Sequence, residues 1–190
     1  MNVSLLMDEL KNVLKYAKDN RSNAVDITQD SLKKPKNVYL FNHSIPESSK
    51  EALMIDDSIF WFPNIKSFYG AIIQNPQKQY IFCNELFDCV GLGGTIKDEA
   101  GQTHIFGAHV YESILQFQMQ DIVNEFSKYG LLPDKVLYSP REDTGSWKRG
   151  QEVLERHFLE TISVLRKNGN QAEMIVGIEG ILLNNKFYEL

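Results

Sequence analysis

The chain has 190 residues, 43% of them hydrophobic and 11% aromatic, enough to bury a core of ordinary domain size and to exclude a disordered or fibrous chain. Twenty Lys and Arg against 25 Asp and Glu leave a net charge of −5. With its cations scattered, such a chain is a poor match for nucleic acid, whose phosphates need clustered positive charge.

The N-terminal stretch MNVSLLMDELKNVLKYAKDNR is too charged for a cleavable signal peptide. Its Leu6, Leu10, Val13, Leu14 and Ala17 instead form the apolar stripe of an amphipathic helix. No run of about 18 apolar residues follows, so membrane insertion is not expected. The expected location is the cytoplasm, or another cell's cytosol reached without a cleavable leader. Residues 20–36 are polar and read as a connector. Strands are predicted at 37–42 (NVYLFN), 58–63 (SIFWFP) and 68–73 (FYGAII), all rich in aromatic and β-branched residues. The segment HSIPESSKEALMIDD reads as an irregular connection.

A long strand-like region runs from Tyr80 to about Val110, broken near KDEAG. The period then changes. Leu115, Met119, Ile122, Val123 and Phe126 recur at helical spacing, and Gly130 supplies the stop. A strand at 135–139 and a loop, PREDTGSWKRG, come next. A second helix is predicted with Val153, Leu154, Phe158, Ile162 and Leu165 inward and KNGN at its end. Two terminal strand segments finish the chain, the last a hairpin turning at Asn184-Asn185. The fold class expected is α/β: a layered α/β sandwich with a mixed, largely antiparallel sheet and two packed helices. Residues 1–36 would be an N-terminal helix and connector, and 37–190 the α/β domain.

The two cysteines, Cys83 and Cys89, make neither a disulfide framework nor a zinc site, and no cofactor or metal is implied. The stretch around the second one, FDCVGLGGTIKDEAGQTHIFGAHVY, carries the chemistry. With a turn centred on Glu99, Cys89 would face His109, Gly91 would face Gly107, and Thr95 would face Thr103. Directly opposed residues share a face with Cβ atoms about 5 Å apart. Val90, Leu92, Ile96, Phe106, Ala108 and Val110 would form the opposite, buried face. A thiol beside an imidazole is the minimum equipment for nucleophilic acyl chemistry, because the imidazole takes the thiol proton. Glycines beside the sulfur would leave room for a carboxamide, although they equally suit close packing by another strand. A longer turn would put His109 on the other face.

At this hairpin the chain resembles the CheD-like glutamine deamidases of bacterial chemoreceptors and, more loosely, the catalytic domains of cytotoxic necrotizing factor-type toxins. The resemblance lies in CVGLGGTIKD and GAHVY and extends through the order of elements to residue 190. It implies a protein-glutamine deamidase with Cys89 as nucleophile and His109 as base. His104 is the rival base, since the histidine can follow the cysteine more closely in the toxin-like branch. The implied partner is a protein substrate presenting a glutamine side chain. The chemoreceptor branch has a Ser where this chain has Asp88, a Thr where it has Cys83, and a Gly-rich motif where it has YSPRED, which leaves the third catalytic group unassigned. The alternative is a non-enzymatic binding module, an acidic immunity or adaptor protein using the aromatics of residues 60–70 as its contact surface.

Overall fold

The computed structural model describes residues 2–27, 34–42, 52–63, 68–112, 115–142, 145, 147–167 and 170–190. In chain order the first elements are α1 (Val3–Asn20), β1 (Val25–Asp26), β2 (Val38–Asn42), β3 (Leu53–Asp56), β4 (Ile59–Phe62), β5 (Phe68–Ile73) and β6 (Tyr80–Cys83). They are followed by β7 (Cys89–Asp98), β8 (Thr103–Tyr111), α2 (Leu115–Lys128), β9 (Leu131–Ser139), α3 (Trp147–Glu155) and β10 (Glu160–Ser163). The chain ends in β11 (Met174–Gly177), β12 (Gly180–Leu183) and β13 (Lys186–Glu189).

These strands form two sheets rather than one. The first has the order β1-β3-β4-β6-β11-β12-β13 and the second β10-β9-β7-β8-β5-β2. Each is antiparallel except for one parallel pair, β4 with β6 and β10 with β9. The fold is thus α/β with largely antiparallel sheets, as expected, but the sandwich has two β layers.

Three apolar clusters define the layers. Phe60, Phe62, Ile81, Met174, Val176 and Ile181 of the first sheet meet Val38, Ala71, Ile73, Ile105 and Leu137 of the second. The outer face of the second sheet, including Val90, Leu92, Phe106, Ala108 and Val110, packs on Met119, Ile122 and Phe126 of α2 and Leu154 of α3. On the outer face of the first sheet, Ile59, Phe82, Ile175 and Leu182 receive Leu10, Leu14 and Ala17 of α1. The order of layers is therefore helix, sheet, sheet, helices. Helix α1 starts at Asn2, whose side chain accepts from the Ser4 N–H at 3.1 Å, and Lys18 ties it to Glu173 at 2.8 Å.

Four local expectations need correction. The second predicted helix ends at Glu155, and Ile162 lies in β10, paired in parallel with Leu137 of β9. Thr161, Ile162 and Val164 are β-branched, and their apolar spacing serves an edge strand as well as a helix turn. Trp147 opens α3 instead of sitting in a loop. Leu53–Asp56 is a strand within the segment read as irregular, whose residues 43–51 lie outside those described. Strand β9 starts four residues earlier than expected, at Leu131; Pro133 is tolerated there because the β7–β9 register shifts between Thr95 and Ile96. Helix α2, its stop at Gly130 (φ +65°) and the Asn184-Asn185 turn (φ +48° and +64°) form as read from the sequence.

Candidate functional site

The β7–β8 turn decides where the chemistry-bearing side chains sit. Asp98 N–H donates to the Gln102 carbonyl at 3.1 Å and Gly101 N–H to the Asp98 carbonyl at 2.9 Å, with Gly101 at φ +78°. This is a three-residue hairpin loop closed by a left-handed glycine, the geometry such loops favour. Its consequence is a register in which His109 faces Gly91 and Cys89 faces Tyr111. The expected direct Cys89–His109 opposition is replaced by a diagonal. The two remain on one face because the shift moves the partner by two residues, and diagonal Cβ atoms lie about 7 Å apart, within reach of long side chains.

That face is the inner one, against the first sheet, and it is not open. A Cβ on Gly93 would meet Val176 Cγ2 at 2.7 Å, and one on Gly107 would meet Ile81 Cγ2 at 2.7 Å. Over Gly91 lie Leu86 Cδ1 and Met174 Sδ, 2.9 and 3.2 Å from the position a Cβ would take. The glycines clear the way for the facing sheet, which is the close-packing reason left open by the sequence. Cys89 is 9% exposed, within the inner apolar cluster alongside Leu86 and Met174.

His109 is 1% exposed. Its Nδ1 lies 3.3 Å from the Phe62 carbonyl oxygen; a carbonyl only accepts, so Nδ1 carries the proton and Nε2 has the free lone pair. That Nε2 is buried, with no hydrogen-bond partner among the described residues. On the other side of Gly91, strand β9 places Ser139 in the same row, and its Oγ is also buried with no partner among the described residues. Cys89, His109 and Ser139 thus surround Gly91 on one face. Ser139 was missed in the sequence because only the β7–β9 pairing brings it there.

Burial sets the protonation states. It pushes the Cys89 thiol up to about 11, with Asp88 adding to the effect and Arg166 opposing it. It pulls the His109 imidazolium down to about 4, where the Phe62 carbonyl opposes the shift and Arg166 reinforces it. The resting pair is a neutral thiol and a neutral imidazole.

Arg166, 4% exposed, is the second residue that sequence patterning did not mark. Among the described residues it donates to backbone carbonyls alone: Ser139 at 3.2 Å, Asn170 at 3.5 Å, and those of Leu86 and Cys89. It therefore clamps both ends of the segment that enters β7. Asp88 is held from outside by Arg141.

His104 sits at the other end of the hairpin, opposite Ile96, seven residues along β7 from Cys89, or about 23 Å of strand. Its Nδ1 accepts from the Asn75 N–H at 2.9 Å, and its Nε2 lies 3.4 Å from Asp98 Oδ2. The structure does not bring it to Cys89. Of the aromatics of residues 60–70, Phe60, Phe62 and Tyr69 are each 0% exposed and Trp61 is half-buried; the Phe68 side chain and residues 64–67 lie outside those described. Among the described residues no group of three His, Cys, Asp or Glu side chains is placed to hold a metal, and no helix is long and apolar enough to cross a membrane. Both thiols are free. No protein-family model and no curated protein matches the chain.

Proposed function

We propose that the chain is a cysteine-dependent protein-glutamine deamidase, with Cys89 as nucleophile and His109 as base. The observation that carries this reading is the tautomer of His109. The Phe62 carbonyl holds the Nδ1 proton and leaves a basic Nε2 buried, without a partner among the described residues, on the same face as Cys89. An orphaned buried acceptor costs on the order of 1–3 kcal/mol, and a base awaiting a proton accounts for it. The Phe62 carbonyl fills the orienting role for which the sequence offered no side chain.

In the reaction, Nε2 takes the thiol proton as sulfur attacks the carboxamide carbon of a substrate glutamine. The Ser139 hydroxyl, also without a partner among the described residues, is a donor for the oxygen of the tetrahedral intermediate. Nε2 returns the proton to the departing nitrogen, ammonia leaves, and a thioester remains. Water, deprotonated by the same imidazole, attacks the thioester; the sulfur leaves and regains its proton. The product glutamate adds one negative charge to the substrate surface, a change able to switch a partner. Access requires Leu86 to move off Gly91, and the neutral resting pair fits a site that ionises only with substrate in place.

The test is ammonia release and glutamine-to-glutamate conversion on casein, read by mass spectrometry. Cys89→Ser and His109→Ala should each lose at least about a hundredfold in rate. His104→Ala should stay within about threefold of the parent, because that ring only ties a distant turn. Undiminished turnover by the Cys89→Ser protein would remove the reading.

A further inference from the structure

Residues at one end of each sheet line a common cleft. The second sheet ends in β10, whose path continues to Arg166 along β9: Val164 N–H donates to the Tyr138 carbonyl at 2.8 Å and Arg166 N–H to that of Pro140 at 3.0 Å. The first sheet ends in β13, bonded among the described residues only to β12. Between these two edges opens a cleft of about 390 Å³. Its walls are Val164, Arg166 and Lys167 on one side and Leu183, Lys186 and Tyr188 on the other.

Two features single this cleft out. First, its charge is of one sign. Arg166, Lys167 and Lys186 line it, and none of the described residues that line it is acidic, in a chain whose net charge is −5. Second, one lip is β13, the last strand of the first sheet, which pairs with β12 alone among the described residues; such an edge presents backbone groups for strand addition. Lys186 is held near the Tyr188 ring, 5.2 Å from its centroid, so its charge lies over an aromatic floor. The cleft also touches the reactive segment, since Arg166 bonds to the Cys89 carbonyl.

We propose that this cleft docks an extended, acidic segment of the protein substrate, its carboxylates on Lys167 and Lys186 and its backbone along the β13 edge. The proposal rests on the deamidase reading for calling that segment substrate; the docking itself is measurable without turnover. Extended chain suits the space because stacked sheets stand about 10 Å apart, and cations at a rim select by sign and steer encounter.

The test uses Cys89→Ser protein and two fluorescein-labelled peptides with a central glutamine, one alternating Glu and Val, the other Lys and Val. The acidic peptide should bind with an anisotropy change that weakens with salt, and the basic one at least about tenfold more weakly. A Lys167→Glu/Lys186→Glu protein should lose about tenfold in affinity for the acidic peptide. Both sites are exposed, so its urea midpoint should match the parent's. Equal binding of the two peptides, no binding of either, or unchanged affinity in the double variant would each overturn the docking. Binding of the acidic peptide without ammonia release by the parent protein would keep the docking and remove the deamidase. Ammonia release without charge-selective binding would do the reverse.

Discussion

At the scale of single residues, the inner face of β7, β8 and β9 combines a packed core with two polar atoms that have no partner among the described residues, His109 Nε2 and Ser139 Oγ. His109 shows the energetic consequence. Its ring titrates near 6.5 when unfolded and at about 4 when folded, so between those values the unfolded chain holds more protons. Stability is then complete above about pH 6.5 and falls as the pH drops towards 4, by roughly 3 kcal/mol from this group. Urea midpoints at pH 7 and pH 4.5 should show a loss in the parent that is clearly smaller in His109→Gln, which keeps a donor for the Phe62 carbonyl. An equal loss in both proteins would assign the acid sensitivity elsewhere. The alternation of β7 and β8 made this histidine visible in the sequence. Its tautomer was not visible, because the Phe62 carbonyl comes from a strand of the other sheet.

At the scale of elements, the glycines of β7 and β8 are explained by sheet packing. Gly93 and Gly107 sit where β-branched side chains of the facing sheet, Val176 and Ile81, would each be 2.7 Å from a new Cβ. Such carbons belong to strands and cannot swing away as a lysine tip would. Gly93→Ala and Gly107→Ala should therefore each cost about 1–3 kcal/mol in denaturant midpoint, whereas an enzyme cleft open above them would have tolerated a methyl. The hairpin turn teaches a related lesson. The sequence locates it within KDEAG, yet its length follows from which residue takes a positive φ; Gly101 does so, and the register then sets His109 opposite Gly91. The helix predicted through Leu165 failed for another reason: β10 gains its hydrogen bonds from β9, a partner that helical spacing cannot reveal.

At the scale of the whole molecule, α1 is bound into the layers. Leu14, 6% exposed, packs among Ile55, Ile59 and Leu182 on the outer face of the first sheet. Leu14→Ala should lower unfolding free energy by about 2–4 kcal/mol, while Leu5→Ala, at a position 67% exposed, should change it by less than about 0.5 kcal/mol. Similar small effects at both positions would mean that the helix is detachable from the sandwich.

Local sequence alone determined the helical stripes of α1 and α2, the hairpin at Asn184-Asn185, the strand character of β7 and β8, and the apolar face that α2 covers. Those features are periodicities and turn chemistries, complete within a few residues. Only the tertiary structure decided that there are two sheets, that the glycine face is roofed by the other one, and that Ser139 comes beside Gly91, Arg166 to Cys89 and the Phe62 carbonyl to His109. Each of those depends on which distant strand lies alongside or above, and alternation records only that a face is to be covered, not what covers it.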